Sequence, residues 1–230
     1  QQRQHYYVIP DYVCEKDASI IVRLFGDLPI LSGGSGLLAE LARSKAASIS
    51  PGEPVKTGTS GPGLLLAGSC SEMTRKQIAF AQSRGIPSMQ IQPLALLSGE
   101  QTPEDLWHFL EKHAGKPLLL YSSDTPDKVR RIQQSGKEQV ARLLESTTAA
   151  LAKRAVDAGY SRIVVAGGET SGAVTRALDF DSYFIGESVA PGVPVMIPKN
   201  SPHIRLVLKS GNFGQEDFFL RALELTGKEK

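Results

Sequence analysis

Short apolar runs that stop at a glycine or a turn constrain this chain most: Leu64-Leu-Leu-Ala-Gly68, Pro117-Leu-Leu-Leu-Tyr121 and Arg162-Ile-Val-Val-Ala166. A strand with one wet face alternates polar and apolar side chains, whereas an uninterrupted apolar run suits a strand covered on both faces. Between the runs lie segments with helical start signals. Ser71–Arg84 opens on capping residues. Pro103–His113 has Thr102 as N-cap and a proline in its first position, and Lys137–Gly159 is long, amphipathic and closed by a glycine. Ser88–Gln92 reads as a further strand. Strands alternating with helices predict an α/β fold, a mainly parallel, Rossmann-like layered sheet with helices on both faces. Shorter strands expected at Ser182–Ile185, Val193–Ile197 and Ile204–Leu208, before a closing helix from Gln215 to Leu225, add antiparallel strands near the C-terminal end.

The first part of the chain is different. Asp17 reads as the N-cap of a helix reaching Phe25, Pro29–Ser32 as a short strand, and Gly33-Gly-Ser-Gly36 as a turn into the helix Leu37–Lys45. From Ala46 to Gly63, glycine, proline and serine are too dense for helix or strand to continue. The chain therefore divides into an N-terminal unit (1–50), a linker (51–63) and a larger C-terminal domain (64–226).

Composition narrows the partners. With 26 Lys and Arg against 24 Asp and Glu, a net charge of +2 and good mixing, the chain carries no field suited to nucleic acid or an anionic membrane. The Lys228–Lys230 tail is too short to act as a binding arm. Two distant cysteines, Cys14 and Cys70, make neither a disulfide framework nor a zinc site. No apolar stretch approaches the roughly 20 residues of a membrane span, and no signal peptide is recognisable, so a cytoplasmic protein with reduced thiols is expected.

The sharpest chemical signal is Arg162-Ile-Val-Val-Ala-Gly-Gly-Glu-Thr-Ser-Gly172. An apolar strand breaks at two glycines, and a polar segment enters a helix whose first N–H groups lack helical partners and favour phosphate oxygens. Thr170 and Ser171 add hydroxyls. Taken alone, the spacing fits a capped turn without a ligand equally well, and it matches neither the Walker pattern nor the dinucleotide fingerprint. Two further junctions raise the case: Gly68-Ser69-Cys70-Ser71 after one strand, and Lys209-Ser-Gly211-Asn-Phe-Gly214 after another. In an open α/β sheet, ligands bind at the carboxyl ends of strands, so three such turns are able to share one crevice. Lys209 reads as a solvated lysine in preference to a phosphate contact. His108 and His113, five apart, point to different faces of a helix, which disfavours a metal pair, and Trp107 reads as core.

Taken in order, Leu66-Ala-Gly-Ser-Cys-Ser-Glu-Met-Thr-Arg-Lys-Gln77, Val164-Val-Ala-Gly-Gly-Glu-Thr-Ser-Gly-Ala-Val174, Ile185-Gly-Glu-Ser-Val-Ala-Pro-Gly-Val-Pro194 and Leu208-Lys-Ser-Gly-Asn-Phe-Gly-Gln-Glu-Asp-Phe-Phe219 resemble the C-terminal nucleotide-binding domain of the four-carbon acid-sugar kinases. The resemblance implies an ATP-dependent phosphorylation of a four-carbon sugar acid, such as 3-oxo-tetronate, D-threonate or D-erythronate, at its terminal hydroxyl. It implies ATP contacts at Ser69, at Gly167, Gly168, Glu169 and Thr170, and at Gly211, with Ser171 and Gly172 completing the second loop. Mg²⁺ is implied because kinases generally need it; Glu169 and Asp217 are its candidate ligands. The implied partners are the sugar acid and ATP, with association to a second copy or to an N-terminal substrate domain. That domain's Asp-Asp-x-Thr-Gly segment is absent, and residues 1–50 resemble only its tail, so the chain reads as the ATP-binding part of a longer or complemented enzyme. The other readings are a non-catalytic nucleotide-binding module and a dinucleotide-dependent oxidoreductase.

Overall fold

A computed structural model describes residues 6–46, 55–124 and 136–227. The chain divides into two compact units, Gln1–Glu53 and Pro54–Lys230. The smaller holds two helices, α1 (Glu15–Phe25) and α2 (Ser35–Ala46). Asp17 is the third residue of α1 and not its N-cap: its carboxylate reaches back to the N–H groups of Val13 and Cys14, at 2.9 and 2.8 Å. Those backbone donors hold its carboxyl below the usual range. The strand expected at Pro29–Ser32 does not form. Within the described residues of this unit no strand is present to pair with it, and Ile30 is 85% exposed.

The larger unit is built on a seven-stranded sheet in the order β2-β3-β1-β4-β7-β6-β5. Its strands are β1 (Gly63–Ala67), β2 (Ser88–Gln90), β3 (Leu118–Tyr121), β4 (Arg162–Ala166), β5 (Tyr183–Ala190), β6 (Val193–Pro198) and β7 (Arg205–Lys209). From β2 to β7 along this order all pairings are parallel, with Leu64 opposite both Leu118 and Ile163, and Val164 opposite Val207. The β5–β6 hairpin then extends the sheet antiparallel. Leu64, Leu65 and Leu66 are fully buried because β1 is central, which is why its sequence lacks the alternation of a one-sided strand.

Successive strand residues supply opposite faces. Leu64, Leu66, Ile163 and Val165 pack beneath α5 (Pro103–Lys112), α6 (Lys137–Asp157) and α7 (Gly168–Leu178). Leu65, Ala67, Val164 and Val207 pack beneath α3 (Glu72–Ser83) and α8 (Phe218–Gly227). The short helix α4 (Pro93–Ser98) has no counterpart among the sequence expectations. Trp107 lies in the first core, with its Nε1 donating to Glu111 at 2.6 Å and Arg154 stacked 4.1 Å over its ring. Among the described residues no helix is long and apolar enough to cross a membrane.

The expected linker 51–63 begins outside the described residues, and its second half is tied to the larger unit. Buried Arg205 donates to the carbonyls of Lys56, Thr57 and Gly58, and Arg162 donates to Gly61 O at 2.9 Å. Thr59 N–H adds a bond to Thr226 O at 2.9 Å.

Candidate functional site

Helix α3 follows β1 onto one face of the sheet, whereas α7 follows neighbouring β4 onto the other. The connections part at the β1–β4 carboxyl edge, the kind of switch point where open α/β sheets bind ligands. The three glycine junctions meet there. Gly68 and Ser69 N–H groups donate to Ala166 O at 2.9 and 3.1 Å, and Gly167 N–H donates to Lys209 O at 2.8 Å. The β4 tip is therefore bonded to the β1 tip on one side and the β7 tip on the other.

Contact at these tips explains two glycines. Gly167 has φ 137°, and a Cβ there would stand 3.0 Å from both Ser69 N and Thr170 Oγ1. A Cβ on Gly68 would lie only 2.0 Å from Thr170 Oγ1. Gly168 is different: its surroundings are open apart from Ser210 Cβ at 4.0 Å.

Helix α7 begins at Gly168, one residue after the strand-breaking Gly167, and not at Ala173. The segment that reads as a loop is the helix's first turn and a half. Glycine's poor helix propensity hid this in the sequence. Ser171 N–H already donates to Gly167 O at 2.8 Å. The Gly168, Glu169 and Thr170 N–H groups thus form the start of the helix, where intrahelical acceptors do not exist. Thr170 is buried, Glu169 is exposed, and Ser171 Oγ is buried without a hydrogen-bond partner among the described residues. Gly172 lies one turn inside the helix, near Arg176. Ser69 Oγ accepts from Ser71 N–H at 3.2 Å, which leaves its own proton available to donate.

A cleft of about 260 Å³ opens at this point, lined by Gly168, Ser171, Ser210, Phe213, the β5–β6 turn residue Gly192 and Val193 at the start of β6. Phe213 is 48% exposed, and its ring lies close enough to Gly192 that a Cβ there would meet it at 3.2 Å. Neither Phe213 nor the hairpin turn stood out in the sequence as site residues; an aromatic next to a glycine-rich tip was the available signal. A larger groove of about 350 Å³ in the smaller unit is lined by Ile21, Leu31, Leu37, Leu38 and Leu41, and among the described residues no titratable side chain lines it.

Lys209 is not a solvated lysine. It is 2% exposed, with Nζ donating to Thr74 Oγ1 at 2.9 Å and to Gly211 O at 2.7 Å. Burial pushes its ammonium down from 10.5 to about 8. Between about pH 8 and 10.5 the unfolded chain keeps a proton that the folded chain has released, so stability rises with pH across that window. Denaturant titrations at pH 8 and pH 10 are expected to show the wild type gaining about 2 kcal/mol relative to Lys209→Met. Equal pH dependence of the two chains would contradict this.

The nucleotide-binding C-terminal domain family matches residues 64–219. The 3-oxo-tetronate kinase of Cupriavidus necator is 38% identical over 224 residues, which is 95% of this chain and 52% of that protein. The chain belongs to the four-carbon acid-sugar kinase family. Another member, the 3-oxo-tetronate kinase of Salmonella typhimurium, is 35% identical over 96% of this chain and 54% of its own length. Among solved structures, a Haemophilus influenzae protein superposes with a TM-score of 0.77 at 31% identity, covering 93% of this chain and 52% of its own. A Salmonella typhimurium LT2 protein described as a tRNA synthase reaches a TM-score of 0.80 at 34% identity, over 92% of this chain and 51% of its own. The chain spans about half the length of the curated kinases it matches. The family match begins at β1 and ends in α8, so it covers all three glycine junctions.

Proposed function

We propose that this chain supplies the ATP-binding part of a kinase that phosphorylates a four-carbon sugar acid, of the 3-oxo-tetronate or threonate/erythronate type, at its terminal hydroxyl. The observation that carries this reading is the interlocking of three strand tips around the open start of α7. The names of the similar kinases support the substrate class.

In this reading the N–H groups of Gly168, Glu169 and Thr170 hold phosphate oxygens, helped by the partial positive charge of the helix start. Ser69 and Ser171 donate hydroxyl protons, which gives the buried Ser171 Oγ the partner that no described residue supplies. The base lies in the cleft between Phe213 and the Gly192 turn. The acceptor hydroxyl attacks the γ-phosphorus and gives up its proton to water, the bond to the β–γ bridging oxygen breaks, and ADP leaves. Little covalent work falls to the protein; orientation and charge stabilisation carry such reactions.

Among the described residues no group of three His, Cys, Asp or Glu is placed to hold a metal ion. Mg²⁺ at kinase sites is held by one or two carboxylates, waters and the phosphates themselves, and not by an all-protein cage. The single exposed carboxylate of Glu169, on the first turn of α7, fits that demand. When bound, the ion neutralises phosphate charge. Residues 1–50 are assigned to the end of the substrate domain, and the acceptor is recognised by the polypeptide that completes it.

Calorimetric titration separates this reading from an oxidoreductase. ATP with Mg²⁺ is expected to bind and NADH is not; NADH binding in preference to ATP would overturn the assignment.

A further inference from the structure

Helix α3 carries a polar rail on the face it turns to the β7 tip. Ser71, Thr74 and Gln77 recur at three-residue spacing, and Thr74 and Gln77 are fully buried. Gln77 Nε2 donates to the carbonyls of Phe213 and Gln215 at 3.0 and 2.9 Å, pinning the far end of the loop after β7. At the near end three donors converge on the Gly211 carbonyl: Lys209 Nζ at 2.7 Å, Ser71 Oγ at 3.1 Å and Thr74 Oγ1 at 3.3 Å. A carbonyl oxygen has two lone pairs, so Ser71 divides its single proton between Gly211 O and Thr74 Oγ1, which lies 2.9 Å away.

Holding a carbonyl fixes its whole peptide group. In a planar trans peptide the following N–H points opposite to the C=O. With the Gly211 oxygen drawn toward α3, the Asn212 N–H is directed away from α3. Among the described residues it donates to no group. Gly211 itself has φ 39°, a left-handed conformation that suits this turn. The residues on either side, Ser210 and Phe213, line the cleft at α7.

Lys209 is an expensive way to hold a carbonyl. Its ammonium is buried with no carboxylate partner among the described residues, and the Phe218 ring 5.7 Å away offsets only part of that cost. A methionine would fill the same space without a charge. Resting on the ATP reading above, we infer that Lys209 is a positioning residue: through the Gly211 carbonyl it sets the peptide plane that offers the Asn212 N–H to a phosphate oxygen of the nucleotide. The third strand tip then contributes one oriented donor, complementing those at the start of α7.

The test compares wild type, Lys209→Met and Thr74→Val by ATP calorimetry and by the amide resonances of ¹⁵N-labelled chain. ATP is expected to bind roughly tenfold more weakly to Lys209→Met. In the wild type ATP shifts the Asn212 amide; in the variant saturated with ATP that resonance stays in place while Gly168 and Glu169 still shift. Thr74→Val, which keeps side-chain volume, is expected to weaken ATP binding about threefold with the same loss at Asn212. It carries the test alone if Lys209→Met does not fold. Wild-type affinity and an unchanged Asn212 shift in the variants would overturn the positioning role and leave the ATP site standing. A wild type that binds no ATP would overturn both.

Discussion

A chain carrying Gly168→Val is expected to fold as stably as the wild type and to bind ATP at least a hundredfold more weakly. A Cβ at position 168 meets only Ser210 Cβ at 4.0 Å, and the backbone there has no positive φ, so the added Cβ clashes with no neighbouring element. Valine is also a better helix residue than glycine. The added methyls instead enter the cleft at the start of α7, where on the proposed reading phosphate approaches the N–H groups closely. Its neighbour behaves oppositely. Gly167→Ala puts a Cβ 3.0 Å from Ser69 N at φ 137° and is expected to cost on the order of 3 kcal/mol in stability. Urea denaturation and ATP calorimetry on the two variants separate these effects. Unimpaired binding by a folded Gly168→Val chain would remove the start of α7 from the site.

The second large effect is on stability. Arg205→Met is expected to lower the unfolding free energy by about 4 kcal/mol, since each bond from a charged donor contributes roughly 1.5–3 kcal/mol and such losses do not add in full. Arg205 is 6% exposed and donates to five carbonyls, those of Lys56, Thr57, Gly58, Pro202 and Ile204, at 2.7 to 3.1 Å. Methionine leaves the buried carbonyls of Thr57, Gly58 and Ile204 without this donor and frees residues 56–58 from β7. A domain's total stability is about 5–15 kcal/mol, so the shift in urea midpoint is large. Arg162→Met, which loses two carbonyl contacts, serves as the milder comparison. A change below 1 kcal/mol for Arg205→Met would show that the segment is held by other contacts.

The parallel sheet was legible because burial on both faces leaves its mark on composition: Leu64–Leu66 and Ile163–Val165 admit no polar residue. The convergence of the glycine tips was legible as well, because a strand end, a glycine and a helix start recur three times. Other features were hidden for physical reasons. Helix α4 is six residues long, too short for a helical period to declare itself. The start of α7 was masked by Gly168 and Gly172, whose low propensity is overridden by packing of Ala173, Val174 and Leu178 on the core. Lys209 reads as a surface charge because its partners, Thr74 and the Gly211 carbonyl, include a side chain 135 residues away. Arg205 is similar: its acceptors are main-chain oxygens of a segment rich in glycine and proline, and carbonyls leave no trace in a sequence.

The central claim, that three strand tips together grip the phosphates of ATP, is tested most directly by mapping amide shifts on the isotope-labelled chain as ATP is added. The largest changes are expected at Ser69, at Gly168, Glu169 and Thr170, and at Asn212, saturating together along one binding curve. Shifts confined to one of these tips, or centred on the apolar groove between α1 and α2, would contradict it.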